Sequence, residues 1–124
     1  MNERRIVVAG ALILMLAVGT GAFGAHALRR MVSPDMLGVW QTAVLYQLVH
    51  GLGLLAIAAL QPRLSSRLLP VAAWLMLAGT ILFSGSLYVL VLSGVHWLGA
   101  VTPVGGTAFI VSWFLVALAA LRSR

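Results

Sequence analysis

The stretch that decides the fold runs from Ser33 to Leu60, SPDMLGVWQTAVLYQLVHGLGLLAIAAL. Ser33 is a helix-capping residue type, Pro34 suits the first helical position, and Asp35 complements the positive end of a helix dipole. From there the segment reaches Leu60 without a breaker, a helix of about 40 Å. At about 100° per residue, Thr42, Tyr46, Gln47 and His50 fall within one arc, together with Ala43 and Gly53. Leu45, Leu48, Leu52 and Leu55 fall on the other side, as a lipid-facing surface would. The segment reads as an apolar helix long enough to cross a bilayer, carrying a polar stripe that needs a partner.

The rest of the chain agrees with a membrane setting. Its 124 residues are 62% hydrophobic and only 8% charged, with a mean hydropathy of +1.09. A soluble domain of this length is excluded, and nothing outside the apolar runs builds a second one, so residues 1–124 read as a single membrane domain. The net charge of +6 comes entirely from arginine, set against Glu3 and Asp35. These arginines stand at the ends of apolar runs, as topology and headgroup anchors do, so nucleic acid is not an expected partner. The absence of cysteine removes disulfide and thiolate chemistry.

Three more spans flank the central one. The first, Ile6 to Leu28, imitates a secretory signal through Arg4-Arg5 and Ala25-His26-Ala27, but its apolar run is too long for a signal peptide and reads as retained. Ala17, Gly21 and Ala25 recur every four residues there, with Gly24 beside them. Such a groove lets helices approach closely in lipid, so Gly21 and Ala25 are expected to face another helix. Gln61-Pro62-Arg63 to Arg67 is a polar break. The third span, Leu69 to Leu92, aligns Thr80, Ser84 and Tyr88 on one face and ends at Ser93-Gly94. A connection holding His96 and Trp97 follows. Thr102-Pro103 then restarts the chain as cap plus first-position proline, and the fourth span (residues 103–121) runs to Leu121.

Short connections make the expected fold an all-α integral membrane protein, an antiparallel up-down-up-down four-helix transmembrane bundle. Arg4, Arg5, Arg63, Arg67, Arg122 and Arg124 fall on one side of it, and only Arg29 and Arg30 on the other. That asymmetry predicts cytoplasmic termini. The second span inserts least well alone, because Gln41, Gln47 and His50 offset most of its apolar gain, so it is expected inside the bundle. Counted by residue, His50 lies about 15 Å deep and Ser84 about 12 Å. The expected candidate site is therefore Thr42, Tyr46, Gln47 and His50 against Ser84 and Tyr88, with Thr80 on the same face of the third span.

Four motifs, one per span, carry a resemblance. Gly21-Ala22-Phe23-Gly24-Ala25-His26, then Gln41-Thr42 with Tyr46-Gln47 and His50, then Phe83-Ser84-Gly85-Ser86-Leu87-Tyr88, then Val101-Thr102-Pro103-Val104-Gly105-Gly106 resemble the YgdD/YwdK-type small membrane proteins. That is a domain-of-unknown-function family of bacterial inner-membrane proteins with a small eukaryotic transmembrane relative. The resemblance covers nearly the whole chain. It implies four spans and a bacterial plasma membrane, and no activity. Relatives can carry a charge just before Tyr-Gln, where this chain has Leu45, so a charge there is not essential to shared chemistry.

The chemical signals are sparse. A midplane histidine is a functional candidate by default, against a structural reading in which a neutral His50 ties helices through Tyr46, Gln47 or Ser84. Neither bis-histidine haem nor a metal is expected, since His26, His50 and His96 differ in depth and no carboxylate or thiolate joins them. No cofactor is assigned. The only carboxylates, Glu3 and Asp35, stand near span ends, so an intramembrane acid/base pair is absent and no catalytic residue is named. Thr102, Gly105 and Gly106 at a helix start, with His26, Arg29 and Arg30, form a candidate outer-side anion or lipid-headgroup site; a tightly packed capped helix is the alternative. Three function classes follow. The first is a non-enzymatic protein that binds membrane lipids or a small amphiphile, or supports a homo-oligomer or larger membrane complex. The second is an oligomeric carrier or channel, and the third an intramembrane enzyme or electron carrier using His50.

Overall fold

A computed structural model describes residues 1–123; Arg124, counted above among the arginines of one side, lies outside the described residues. Four long helices dominate: α1 Glu3–Ala25, α2 Pro34–Leu64, α3 Leu68–Ser93 and α4 Thr102–Arg122. Leu28–Arg30 and His96–Ala100 form 3₁₀ turns between them. All four long segments are long and apolar enough to cross a membrane. Among the described residues there is no strand.

Local chemistry explains most of the helix ends. The Asn2 side chain accepts from the Arg5 amide at 2.9 Å, and Ser33 caps α2 by accepting from the Met36 amide at 3.2 Å. α2 does not stop at Leu60 as the sequence suggests. It runs through Pro62 to Leu64 and ends where Ser65 turns left-handed at φ 45°. Pro62 has no N–H for the Ala58 carbonyl one turn back, so the helix loses that one bond and still closes its last turn through the Ser65 amide on the Gln61 carbonyl. Gly94, at φ 72°, ends α3 with its amide on the Leu90 carbonyl. The start of α4 differs from the expected cap: Thr102 is already helical, and the preceding 3₁₀ turn feeds straight into the helix. The Val104 amide bonds the Val101 carbonyl, so the turn itself satisfies part of the helix start.

Each helix packs antiparallel on the next. Gly10 lies against Gly51 and Leu54, Gly24 against Trp40, Gly53 against Met76, and Gly79 against Gly105 and Phe109. A Cβ on Gly105 would stand 2.5 Å from the Phe83 backbone nitrogen, so α3 and α4 meet nearly backbone to backbone. α2 and α3 form the central pair, with α1 on α2 and α4 on α3; α1 and α4 do not pack along each other. The termini and the α2–α3 turn share one end. Near it the core is dry, built from Ile6, Ile13, Leu54, Ile57, Leu69 and Met76. At the other end Leu28, Trp40 and Val91 form a second cluster.

The α1 interface differs from expectation. Ile6, Gly10, Ile13, Ala17 and Gly24 are its buried residues, whereas Gly21 is half-buried and Ala25 is exposed. The four-residue series drifts off the contact face, because 3.6 residues make a turn.

Candidate functional site

Between the dry core and the Leu28 cluster, α2 presents its buried polar residues to all three other helices. Gln47, 5% exposed, is the centre. Its amide nitrogen donates to the Ile13 carbonyl of α1 at 2.9 Å, and its amide oxygen accepts from the Tyr88 hydroxyl of α3 at 2.5 Å. The Thr20 hydroxyl lies 3.0 Å from the Tyr88 oxygen. With the Tyr88 proton committed to Gln47, the single Thr20 proton is divided between the Tyr88 oxygen and the Ala17 carbonyl at 3.2 Å. A few residues outward, the Trp40 indole donates to the Thr20 carbonyl at 2.8 Å. Ser84 of α3 donates to the Ala43 carbonyl of α2 at 2.7 Å. One glutamine therefore ties α1, α2 and α3 together.

His50, 4% exposed, turns the other way, toward α4. Its Nδ1 lies 2.7 Å from the Tyr46 carbonyl, and its Nε2 lies 3.0 Å from the donating Trp113 indole nitrogen. A carbonyl only accepts and an indole N–H only donates, so these partners assign the neutral Nδ1–H tautomer. The imidazole lies flat on Phe109, with centroids 3.5 Å apart and planes 9° apart. Tyr46 and Phe83 extend this aromatic group at a centroid distance of 4.4 Å.

The sequence-predicted stripe is thus divided. Gln47, His50 and Ser84 are buried and Tyr88 is partly so. His50 does not meet Ser84; each bonds a different element. Thr80 is buried but returns its hydroxyl to the Met76 carbonyl of its own helix. Thr42 is a correction: it is exposed and bonds the Gly38 carbonyl of its own helix. The buried arc of α2 centres between Ala43 and Gln47, and Thr42 lies a further 100° round from Ala43. Tyr46 lies on the arc's edge at 39% exposed.

The outer group is not one site either. Gly105 is buried against Phe83 and Gly79, which the close approach of α3 and α4 requires. Thr102 is half-buried and its hydroxyl lies 2.7 Å from that of Ser86. Gly106 is half-buried beside Phe83. His26, Arg29 and Arg30 are exposed on the α1–α2 connection, which packs on α1 and α2, whereas the α3–α4 turn packs on α3 and α4.

Sequence reasoning passed over Thr20, Trp40, Ser112 and Trp113. Ser112 donates to the Ala72 carbonyl at 2.7 Å, locking α4 to α3. Trp113 carried a readable signal: an indole this far inside a span needs an acceptor for its N–H, and the only nitrogen base at matching depth is His50. Among the described residues every buried side-chain nitrogen and oxygen has a partner, and no group of three His, Cys, Asp or Glu is placed to hold a metal.

Four long apolar helices held together by a buried polar network define a small multi-pass helical membrane protein. Residues 20–106 match the family described as "Protein of unknown function (DUF423)". The chain belongs to that family, as its relatives also indicate. It is 47% identical over 117 residues to the UPF0382 membrane protein YwdK of Bacillus subtilis, covering 94% of this chain and 95% of that one. It is 47% identical over 116 residues to a UPF0382 membrane protein of Staphylococcus aureus (strain bovine RF122 / ET3-1), covering 94% of each chain. No solved structure matches significantly.

Proposed function

We propose that the protein is a non-enzymatic, multi-pass protein of the bacterial inner membrane that binds lipid or a small amphiphile along its helix grooves. One observation carries the reading: among the described residues every buried side-chain nitrogen and oxygen already has a protein partner, and apart from Thr80 the buried polar side chains bond a neighbouring helix. His50 illustrates it. The Nε2 lone pair that a metal, haem iron or reacting proton would need already accepts the Trp113 N–H. A carrier or channel would need a polar path through the end of the bundle built from Ile6, Leu54, Ile57, Leu69 and Met76, which offer none. The lipid-facing side, by contrast, has grooves. One of about 260 Å³ opens between α1 and α3 over Gln47, Ser84 and Tyr88.

Both termini and the Arg63–Arg67 connection are assigned to the cytoplasmic side. The support is the arginine asymmetry together with an antiparallel order that places these segments at one end. Native mass spectrometry of the protein released from mild detergent tests the binding reading. The expected spectrum shows the chain carrying lipid-sized mass after detergent is stripped, in wild type and in the His50→Gln variant alike. A bare chain under conditions that preserve the fold would overturn it.

A further inference from the structure

The α1–α2 groove combines three features that neither helix has alone. It is a cavity of about 220 Å³, walled by Gly21, Gly24 and Ala25 of α1 and by Trp40, Gln41 and Val44 of α2. It opens toward lipid: Ala25 and Gln41 are exposed, and Leu45 at its edge is 56% exposed. The small residues of α1 that do not pack on α2 are what leave it open. A Cβ on Gly21 would only just touch Val44, at 3.4 Å.

Directly beyond the groove, α1 gives way to the turn carrying His26, Arg29 and Arg30, all exposed. This turn is anchored: Leu28, fully buried, packs in one cluster with Trp40, the residue that forms the groove wall. Two permanently charged guanidinium groups therefore stand on an anchored turn, four and five residues beyond Ala25 at the end of the groove. Gln41 lies about 10 Å below the start of α2, the depth of ester carbonyls and upper acyl chain. In a bilayer an apolar groove open to the side is filled by hydrocarbon, and the charges select its headgroup.

We propose that this groove is a binding site for an anionic phospholipid, with one acyl chain lying along Gly21, Ala25 and Val44 and the phosphate held by Arg29 and Arg30. Gln41 donates to a glycerol ester carbonyl, and His26 stands at the headgroup rim. The proposal rests on the lipid-binding reading above and names the lipid class and the groove.

Native mass spectrometry with phosphatidylglycerol or phosphatidylcholine added in equal amounts tests it. The wild-type chain should retain phosphatidylglycerol in preference to phosphatidylcholine. Each basic side chain near an anionic headgroup is worth about a five-fold factor in affinity, so Arg29→Gln with Arg30→Gln should lower phosphatidylglycerol retention by about twenty-five-fold. Arg63→Gln with Arg67→Gln removes the same charge from the other end and should leave retention unchanged. Ala25→Leu fills the groove from an exposed position, keeps every charge, and should lower retention of phosphatidylglycerol too. Equal retention of the two lipids, equal loss in the Arg63/Arg67 pair, or full retention in Ala25→Leu would each overturn the site. In the first case a lipid still bound leaves the broader reading standing, whereas a bare wild-type chain removes both.

Discussion

Two partners with opposite and fixed roles hold His50. The Tyr46 carbonyl takes its proton and the Trp113 indole fills its lone pair, while Phe109 covers one face of the ring. A contact of this kind within a membrane is worth about 0.6 kcal/mol and at most about 1.7 kcal/mol, because the unfolded state in lipid also finds partners. A double-mutant cycle on His50→Leu and Trp113→Phe, read by unfolding in detergent, should return a coupling in that range. Strict additivity would mean that the two side chains do not interact. Gln47→Leu should cost more than either, about 1–3 kcal/mol, since it takes away the acceptor of the Tyr88 hydroxyl, leaving it Thr20 alone, and severs the tie to Ile13 at once. Unfolding at the wild-type point would dismiss the three-helix tie.

At the scale of helices, glycines set how closely pairs approach, and their effects should differ by position. Gly105→Ala places a methyl against the Phe83 backbone, which cannot turn aside, and should destabilise the protein by about 1–3 kcal/mol. Gly85 has nothing within 4 Å of a new Cβ. Gly85→Ala should therefore be neutral or stabilising by up to about 1 kcal/mol, as alanine is the better helix former. The same contrast holds on α1. Gly24→Ala meets the Trp40 indole, which its bond to Thr20 holds in place, whereas Gly21→Ala meets only ordinary contact. Equal melting temperatures for Gly24→Ala and Gly21→Ala would contradict the packing described.

For the whole molecule the distribution of charge and of polarity runs along the bilayer normal. Arginines crowd the end that has the dry core; the polar network and the α1–α2 groove lie toward the other. With the arginine-rich end in the cytoplasm, reporter fusions after Arg122 and between Ser65 and Arg67 should both report cytoplasmic, and a fusion between Ser93 and His96 periplasmic. A periplasmic signal from the first pair would invert the assignment and move the proposed lipid site to the inner leaflet. The outer helices α1 and α4 each pack along one neighbour, so most of their surface is left to lipid.

Hydropathy and the short connections were enough to establish four long apolar helices, their order and an all-helical membrane fold, because a chain in hydrocarbon must satisfy its backbone internally and helices are the local way to do it. The wheel of α2 also located the interior residues Gln47 and His50, since that arc is a property of one helix. What it left open was rotation and pairing between helices. Lipid and protein interior are equally apolar, so no hydrophobic difference tells the packed face of α1 from its exposed one, and Ala25 and Thr42 were turned the wrong way. His50 could have met serine, glutamine or tryptophan by composition alone. The close approach at Gly79 and Gly105, with the Ser112 bond to Ala72, seats α4 where Trp113 reaches the Nε2 of His50, and that closeness is a fact of the assembled molecule.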